Sequence, residues 1–300
     1  MTRRAPSIIL TPRAAPASHP DRTGTGGDRT TVNQPIAALV LDMDGVIYRG
    51  DEALPGAVAL FPALRAAGVS VILATNNATQ SPAEFQAKLA RLGIKVAVEQ
   101  ILTSATATAA WLAEAAPAGL SVYVVGAPSL RSMILALPGA VWDEARPDYV
   151  VVGLDPDLTY ATLRTAAVAL QRGARFVATN TDASLPKEGG ANWPGAGAIV
   201  AALATTVGRG PDVVLGKPEP ALYNLARARL GTPPAATLAV GDRAETDILG
   251  GRRAGLPTAL VLTGVTGAAE VPQLPADRRP DYVFHNLEEL TAAVIASRKT

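Results

Sequence analysis

Cysteine is absent from the chain, and histidine occurs only twice, at His19 and His285. The absence of cysteine excludes disulfides, thiolate zinc sites and a cysteine nucleophile. Two histidines are too few for a histidine-based metal cluster, and they argue against a Ser-His-Asp triad. Any chemistry must therefore rest on carboxylates, lysine, hydroxyls and backbone groups.

Long apolar runs and a strong charge of one sign are also missing. No run approaches the ~18 residues that span a bilayer, and the apolar stretch at 7–10 is too short for a signal peptide. The net charge is +1, and five arginines lie within residues 1–34, which leaves the rest near neutral. A neutral body has no electrostatic footprint for nucleic acid. We therefore predict a cytoplasmic protein with no nucleic-acid and no membrane partner.

The chain has 300 residues, of which 48% are hydrophobic, enough for one or two domains. Residues 1–34 are rich in Pro, Gly and Arg and predict a disordered tail, with order beginning near Pro35. From there, short β-branched runs alternate with amphipathic segments, which predicts a doubly wound α/β fold with a parallel sheet. Strands are expected at 36–41, 69–74, 122–125, 149–152, 176–178, 213–215, 238–240 and 259–262.

Three helix starts carry capping signals. Ser81 and Glu84 form a capping box around Pro82, which suits the first helical position. Thr159 and Asn286 are the other predicted N-caps.

The first chemical motif is Asp42 and Asp44, which follow the strand at 36–41 and precede Gly45. Ligands of parallel α/β sheets bind outside the carboxyl ends of strands, so both carboxylates would face an active-site crevice. An ordinary turn with local Asp hydrogen bonds is the alternative.

The second motif, Thr75–Asn77, follows the strand at 69–74. A hydroxyl, side-chain amides and backbone N–H groups suit a phosphate oxygen, although an ordinary Asn-rich turn has the same composition.

The third motif is Lys217, which follows the strand at 213–215. A nucleotide P-loop would need Gly at 211 and Ser or Thr at 218, where the chain has Pro211 and Pro218. A P-loop is therefore excluded. Lys217 is either a point charge for phosphate or a solvated surface lysine.

The fourth motif is Asp242, just past the strand at 238–240, with Asp247 five residues later near a helix start. A helix cap would explain Asp247 alone. However, carboxylate oxygens are the ligands that magnesium prefers. Four strand ends thus carry DxD, TNN, GKP and GDxxxxD in order, a combination that four unrelated turns rarely collect.

With these motifs the chain resembles the haloacid dehalogenase-like (HAD) phosphatases of subfamily IIA, the NagD-like and 4-nitrophenylphosphatase-like branch. The resemblance covers roughly residues 36–290 and extends to the segments 48–50, 55–57, 153–155 and 178–182. It implies a Rossmann-like core with an inserted α/β cap. The implied boundaries are 1–34 for the tail, 35–116 and 209–300 for the core, and 117–208 for the cap.

The resemblance also implies roles for the motif residues. Asp42 would be the nucleophile that forms an aspartyl-phosphate, and Asp44 the general acid and then the base. Mg²⁺ would bind Asp42, the backbone carbonyl of Asp44 and Asp242, while Asp247 would hold metal-bound water or orient Lys217. The phosphoryl oxygens would be held by Thr75, Asn76 and Lys217.

The substrate implied by the resemblance is a small phosphate monoester of 4-nitrophenyl phosphate, phosphoglycolate, glycerol phosphate, pyridoxal phosphate, sugar phosphate or nucleotide type. A homodimer through the cap is left open. We expect the loop 181–194 to face the active site and to contact substrate. The side chains it offers are Asp182, Lys187, Glu188, Asn192 and Trp193.

Other interpretations lead to different expectations. A catalytically silent binding or regulatory protein of this fold would have substituted site residues, yet all are present. A receiver-like domain would leave the cap unexplained, and a dehalogenase would need neither Asp44 nor a magnesium cluster. A mutase stays possible, although a large cap suits hydrolysis better.

Overall fold

The computed structural model describes residues 29–186 and 191–298, so the predicted tail lies outside it up to residue 28. The strands of the described chain are β1 (Ala38–Leu41), β2 (Tyr48–Arg49), β3 (Glu52–Ala53), β4 (Ser70–Thr75), β5 (Ile101–Thr103), β6 (Leu120–Val125), β7 (Ala140–Trp142), β8 (Tyr149–Val152), β9 (Arg175–Ala178), β10 (Ser184–Pro186), β11 (Asn192–Pro194), β12 (Val213–Val214), β13 (Thr237–Gly241), β14 (Thr258–Val261) and β15 (Tyr282–Phe284). Its α-helices are α1 (Ala57–Ala66), α2 (Pro82–Arg91), α3 (Ser104–Ala115), α4 (Pro128–Leu135), α5 (Tyr160–Gln171), α6 (Ala196–Val207), α7 (Ala221–Leu230), α8 (Leu249–Arg253) and α9 (Leu287–Ala296).

The described chain divides into two compact units. One, the insert unit, comprises Asn76–Glu84 and Thr103–Gly216. The other, the core unit, comprises the described residues up to Thr75, then Phe85–Leu102 and the described residues from Lys217 onward.

The core unit contains a six-stranded sheet in the order β15-β14-β13-β1-β4-β5. Strand β1 pairs in parallel with β13 on one side and β4 on the other, in a register that joins Leu41 to Val240 and to Leu73. All four residues of β1 are buried, as expected for a parallel strand covered on both faces. Since the chain proceeds from β1 outward in one direction and returns on the other side at β13, the topological switch point lies between these two strands.

An apolar cluster surrounds this sheet and includes Leu39, Phe85, Phe284 and Leu290. Val32 belongs to the same cluster, and the carbonyl of Arg29 accepts a hydrogen bond of 3.0 Å from the N–H of Val283. Contacts with the core unit therefore exist before the predicted start at Pro35. The sequence signal failed there because one buried valine among polar residues has no periodicity.

The insert unit contains a second, five-stranded sheet in the order β12-β9-β8-β6-β7, in which the paired strands are parallel. Helices α5 and α6 pack on it through a cluster that includes Leu170 and Leu203. Strands β10 and β11 form a separate antiparallel pair.

The predicted doubly wound α/β class is confirmed, and so are the capped helix starts. The N–H and Oγ of Ser81 donate to the Glu84 carboxylate at 2.6 and 2.8 Å, and α2 begins at Pro82. Thr159 caps α5, and Asn286 caps α9 through hydrogen bonds to two backbone N–H groups.

The predicted cap boundary at residue 208 places the strand at 213–215 in the core, but the structure places it in the sheet of the insert unit. Strand β12 pairs with β9 of the insert unit, so that Lys217 follows a strand of the five-stranded sheet. An apolar run of two or three residues can indicate a strand, but it does not indicate which neighbouring strand will pair with it.

No helix in the described part of the chain has both the length and the apolar character that crossing a bilayer requires.

Candidate active site

Asp42 stands at the carboxyl end of β1, beside the switch point. Its N–H continues the sheet by donating to the carbonyl of Val240 at 2.9 Å. The backbone is therefore fixed by β13 while the carboxylate projects beyond the strand end. Parallel α/β sheets bind their ligands at this edge.

Lys217 is the centre of the charged cluster at this edge. Its ammonium group donates to Oδ1 of Asp42 and to Oδ1 of Asp247, both at 2.6 Å, and to the carbonyl of Ala74 at 3.1 Å. Only 3% of Lys217 is exposed. Burial by itself lowers the pKa of Lys217, but Asp247 and Asp42 outweigh burial and raise that pKa well above its ordinary value. The solvated-lysine alternative is therefore wrong.

Asp247 lies in a π-helical turn, Ala244–Ile248, that precedes α8. The sequence predicts an ordinary helix start here, and π turns often occur at functional sites. The N–H of Arg243 donates to Oδ2 of Asp247 at 3.1 Å, while Oδ1 accepts from Lys217. Gly241 makes the turn possible, because a Cβ at that position would overlap the Asp247 side chain.

Asp242 is held by the loop that follows β14. The N–H of Val265 donates to Oδ2 of Asp242 at 2.8 Å. The N–H of Thr266 donates to the Asp242 carbonyl at 2.9 Å. Asp242 is buried, as Asp247 is.

The three carboxylates form a group suited to a cation. One oxygen from each of Asp42, Asp242 and Asp247 lies within 4.8 Å of the others. Burial raises the pKa of Asp42 well above its ordinary value; Lys217 opposes the shift, and Asp247 and Asp242 reinforce it. Burial and the charge of Asp247 raise the pKa of Asp242 to about 6. One lysine does not balance the negative charge of three carboxylates. The oxygen donors therefore fit a hard divalent cation.

Two further predicted site residues are close in sequence to members of this cluster: Asp44 follows Asp42 by two residues, and Thr75 follows Ala74. Asp44 is exposed, beyond the end of β1, and forms an isolated bridge with Tyr48. Burial, followed by the charge of Asp44, raises the pKa of Tyr48. Thr75 is buried at the end of β4, one residue after the carbonyl that accepts from Lys217.

Asn76 follows Thr75 and belongs to the insert unit. Its side-chain N–H group donates to both carboxylate oxygens of Asp182, at 3.1 and 3.2 Å. Its carbonyl accepts from Oγ of Ser104 at 2.5 Å and from Nδ2 of Asn180 at 2.8 Å. Asn76 is thus held by three side chains of the insert unit.

The loop predicted to contact substrate is only partly described. Lys187 and Glu188 lie outside the described residues. Asp182 is engaged with Asn76, while Asn192 and Trp193 stand on β11 with exposed side chains, 58% for Trp193.

Two contributors to the cluster have no motif in the sequence. The hydroxyl of Tyr223 donates to the carbonyl of Asp247 at 3.0 Å, from α7. The N–H of Val265 holds Asp242, and a backbone donor has no residue signature at all. The glycine at 264 was the one available signal, since it marks close approach after a strand.

Two family models match the chain. Residues 39–137 match the haloacid dehalogenase-like hydrolase model, and residues 214–290 match the HAD-hydrolase-like model. An acid sugar phosphatase from Staphylococcus saprophyticus is 38% identical over 253 residues, which are 84% of this chain and 96% of that protein.

Solved structures agree with these matches. A 4-nitrophenylphosphatase from Thermotoga maritima has a TM-score of 0.82 at 35% identity, over 86% of this chain and 97% of that one. A glycerol phosphate phosphatase from Mycobacterium tuberculosis, solved in complex with magnesium, has a TM-score of 0.80 at 39% identity, over 87% and 78% of the chains. The chain therefore belongs to the haloacid dehalogenase-like hydrolases, in the NagD-like and nitrophenylphosphatase-like subfamily IIA, and is a phosphoric monoester hydrolase.

Proposed function

We propose that this phosphatase hydrolyses small-molecule phosphate monoesters with Mg²⁺ as cofactor, through an aspartyl-phosphate on Asp42. The observation that carries the proposal is the position of the Lys217 ammonium, 2.6 Å from the carboxylates of Asp42 and Asp247. A buried cation at this distance opposes the protonation of Asp42 that burial favours, and it would offset the repulsion between that carboxylate and an anionic substrate. The aspartyl-phosphate would divide one difficult hydrolysis into two easier displacements.

Asp44 is the proposed general acid and base. It would donate its proton to the leaving oxygen while the bond from phosphorus to Asp42 forms. It would then take a proton from the water that attacks the aspartyl-phosphate, which restores both aspartates. Its exposure is compatible with this role, because the leaving group and the water must both reach it.

The proposed metal ligands are Asp42, the backbone carbonyl of Asp44, and Asp242, while Asp247 would hold metal-bound water or orient Lys217. When bound, Mg²⁺ would neutralise phosphoryl charge. The magnesium complex of the Mycobacterium tuberculosis phosphatase supports this choice of cation. Thr75, Asn76 and Lys217 are proposed to hold the phosphoryl oxygens.

Sugar phosphates, glycerol phosphate and 4-nitrophenyl phosphate are the proposed substrate range, since relatives named for each are at least 35% identical. Within it, we propose that Lys187 and Glu188 of the loop 181–194 select the leaving group. If both residues are replaced and the relative rates across a substrate panel stay unchanged, this assignment is wrong. We further propose that the protein forms a homodimer through the cap. Light scattering should then give a molecular mass twice that of one chain.

The decisive assay compares the wild type with Asp42→Asn in excess Mg²⁺ and in EDTA. We expect the wild type to hydrolyse 4-nitrophenyl phosphate only with Mg²⁺, and Asp42→Asn to be inactive with an unchanged circular dichroism spectrum. Asp212→Asn, an exposed aspartate of the insert unit, is the control. A catalytically silent protein would instead show no hydrolysis by the wild type under either condition.

A further inference from the structure

The loop Thr263–Thr266, which follows β14, has contacts that the proposed chemistry does not use. It begins two residues after Val261, at the same end of the sheet as Asp42 and Asp242. It contains none of the four sequence motifs described above. We call it the β14 loop.

One half of the β14 loop holds Asp242 by both its side chain and its backbone. Val265 N–H donates to the carboxylate at 2.8 Å, and Thr266 N–H donates to the carbonyl at 2.9 Å. Oγ of Thr266 also accepts from the N–H of Ala244, at 3.0 Å. The loop thus fixes the peptide on either side of Arg243.

Gly264 leaves the space that the Asp242 carboxylate fills. A Cβ at Gly264 would overlap Oδ2 of Asp242, and a Cβ at Gly45, on the loop after β1, would stand 2.5 Å from the same oxygen. This oxygen cannot move aside without breaking its hydrogen bond from the N–H of Val265. The carboxylate is therefore enclosed by two glycines and one N–H donor.

The other half of the β14 loop binds the turn that carries Asp44. Oγ of Thr263 donates to the carbonyl of Gly45 at 2.6 Å. The guanidinium group of Arg49 donates to the carbonyl of Thr263 at 2.5 Å. The N–H of Gly45 donates to the carbonyl of Tyr48 at 2.9 Å, which closes the turn.

We propose that the β14 loop is a positioning element that fixes Asp242 as a metal ligand and holds the Asp44 turn at a set distance from it. The proposal rests on the function proposed above. Loss of a group that orients a metal ligand typically lowers metal affinity or activity by about ten- to a hundredfold. Thr263 and Gly264 are positioning residues here, because neither is required to touch substrate.

The first test is Gly264→Ala, measured by calorimetric titration with Mg²⁺. The added methyl group displaces the Asp242 carboxylate, so we expect Mg²⁺ affinity to fall about tenfold or more. Gly210→Ala is the matched control, since a Cβ there meets nothing within 4 Å. Unchanged Mg²⁺ affinity in Gly264→Ala would overturn the proposal.

The second test is Thr263→Val, which keeps the shape of the side chain and removes the donor to Gly45. Displacement of the Asp44 turn should slow phenyl phosphate, whose leaving group needs a proton, about tenfold more than 4-nitrophenyl phosphate, whose leaving group needs it less. Thr291→Val is the control, because Thr291 makes the same kind of bond, 2.6 Å long, to the carbonyl of Leu287.

The ratio of the two rates separates positioning from general destabilisation, which would lower both rates alike. An unchanged ratio in a folded Thr263→Val protein overturns the role of Thr263. A wild type that binds no Mg²⁺ and hydrolyses neither ester refutes the proposed function instead, so the two failures are distinguishable.

Discussion

At the scale of single residues, the buried charge of Lys217 is the feature on which the site depends. Its ammonium group compensates Asp42 and Asp247 at 2.6 Å each. Removal of one member of a buried charged group leaves the others uncompensated, which usually costs more than the interaction itself contributes.

We expect Lys217→Met to lower kcat at least about a hundredfold. The substitution should also lower the free energy of unfolding of the metal-free protein by about 3 kcal/mol, measured by urea denaturation. Lys95→Met, at an exposed position, is the control and should change neither quantity. Near wild-type activity in Lys217→Met would show that the ammonium group is dispensable.

Asp242 gives the site a predicted pH dependence. Its pKa in the metal-free protein is raised to about 6 by burial and by Asp247, and Mg²⁺ binds the ionised carboxylate. At pH 7 the group is ionised, whereas at pH 5 it is mostly protonated and a proton must leave before the metal binds. The Kd for Mg²⁺, measured by calorimetry, should therefore rise about tenfold between pH 7 and pH 5. A Kd independent of pH in this range would contradict the raised pKa.

The residues of the cluster were predictable to the extent that they lie in the loops and turns that follow strands. Asp42, Asp242 and Asp247 have side chains whose chemistry is visible in the sequence, and β1 and β13 bring two of them to neighbouring strand ends. Tyr223 and the N–H of Val265 were not predictable, since Tyr223 lies within helix α7 outside the four motifs and Val265 contributes through its backbone.

At the scale of elements, the turn after β9 binds Asn76, the second residue of the TNN segment. Asn180 donates to the carbonyl of Asn76 at 2.8 Å and accepts from the N–H of Asp182 at 3.1 Å. The N–H of Gly216 donates to the carbonyl of Thr179 at 2.7 Å. One turn of the insert unit therefore binds the residue after Thr75 and the residue before Lys217.

We expect Asn180→Ala to destabilise the protein by about 2 kcal/mol, because the Asn76 carbonyl keeps only its bond from Ser104 and the N–H of Asp182 loses its acceptor. Thermal unfolding measures the change, and Asn192→Ala, at an exposed position of β11, provides the comparison. A shift within about 0.5 kcal/mol, the range of ordinary surface substitutions, would mean that water replaces both bonds.

Long elements were more predictable than short ones. Strands β4 and β6 have six residues each, and their apolar runs are visible without any knowledge of neighbours. Strands β5, β7 and β15 have three residues each and are fixed by pairing rather than by their own pattern. The π-helical turn at Asp247 also has no pattern of its own in the sequence, and the bond from Lys217 to its carboxylate comes from a residue 30 positions away.

At the scale of the whole molecule, the order of the motifs carried more information than any one of them. The α/β class follows from the alternation of patterns, but the membership of β12 in the second sheet does not. Sequence alone also could not distribute the chain between units, because Asn76–Glu84 joins the insert unit across a long separation in sequence.

The covalent intermediate is the central claim, and trapping it is the most direct test. Asp44→Asn is mixed with 4-nitrophenyl phosphate and Mg²⁺, quenched in acid, and analysed by intact and peptide mass spectrometry. Because this variant lacks the base for the second step, we predict one phosphoryl group per chain, sensitive to hydroxylamine, on the peptide that contains Asp42. The double variant with Asp42→Asn should carry none. A phosphoryl group on a different residue, or an unmodified chain that nevertheless releases a full equivalent of 4-nitrophenol, would contradict the account.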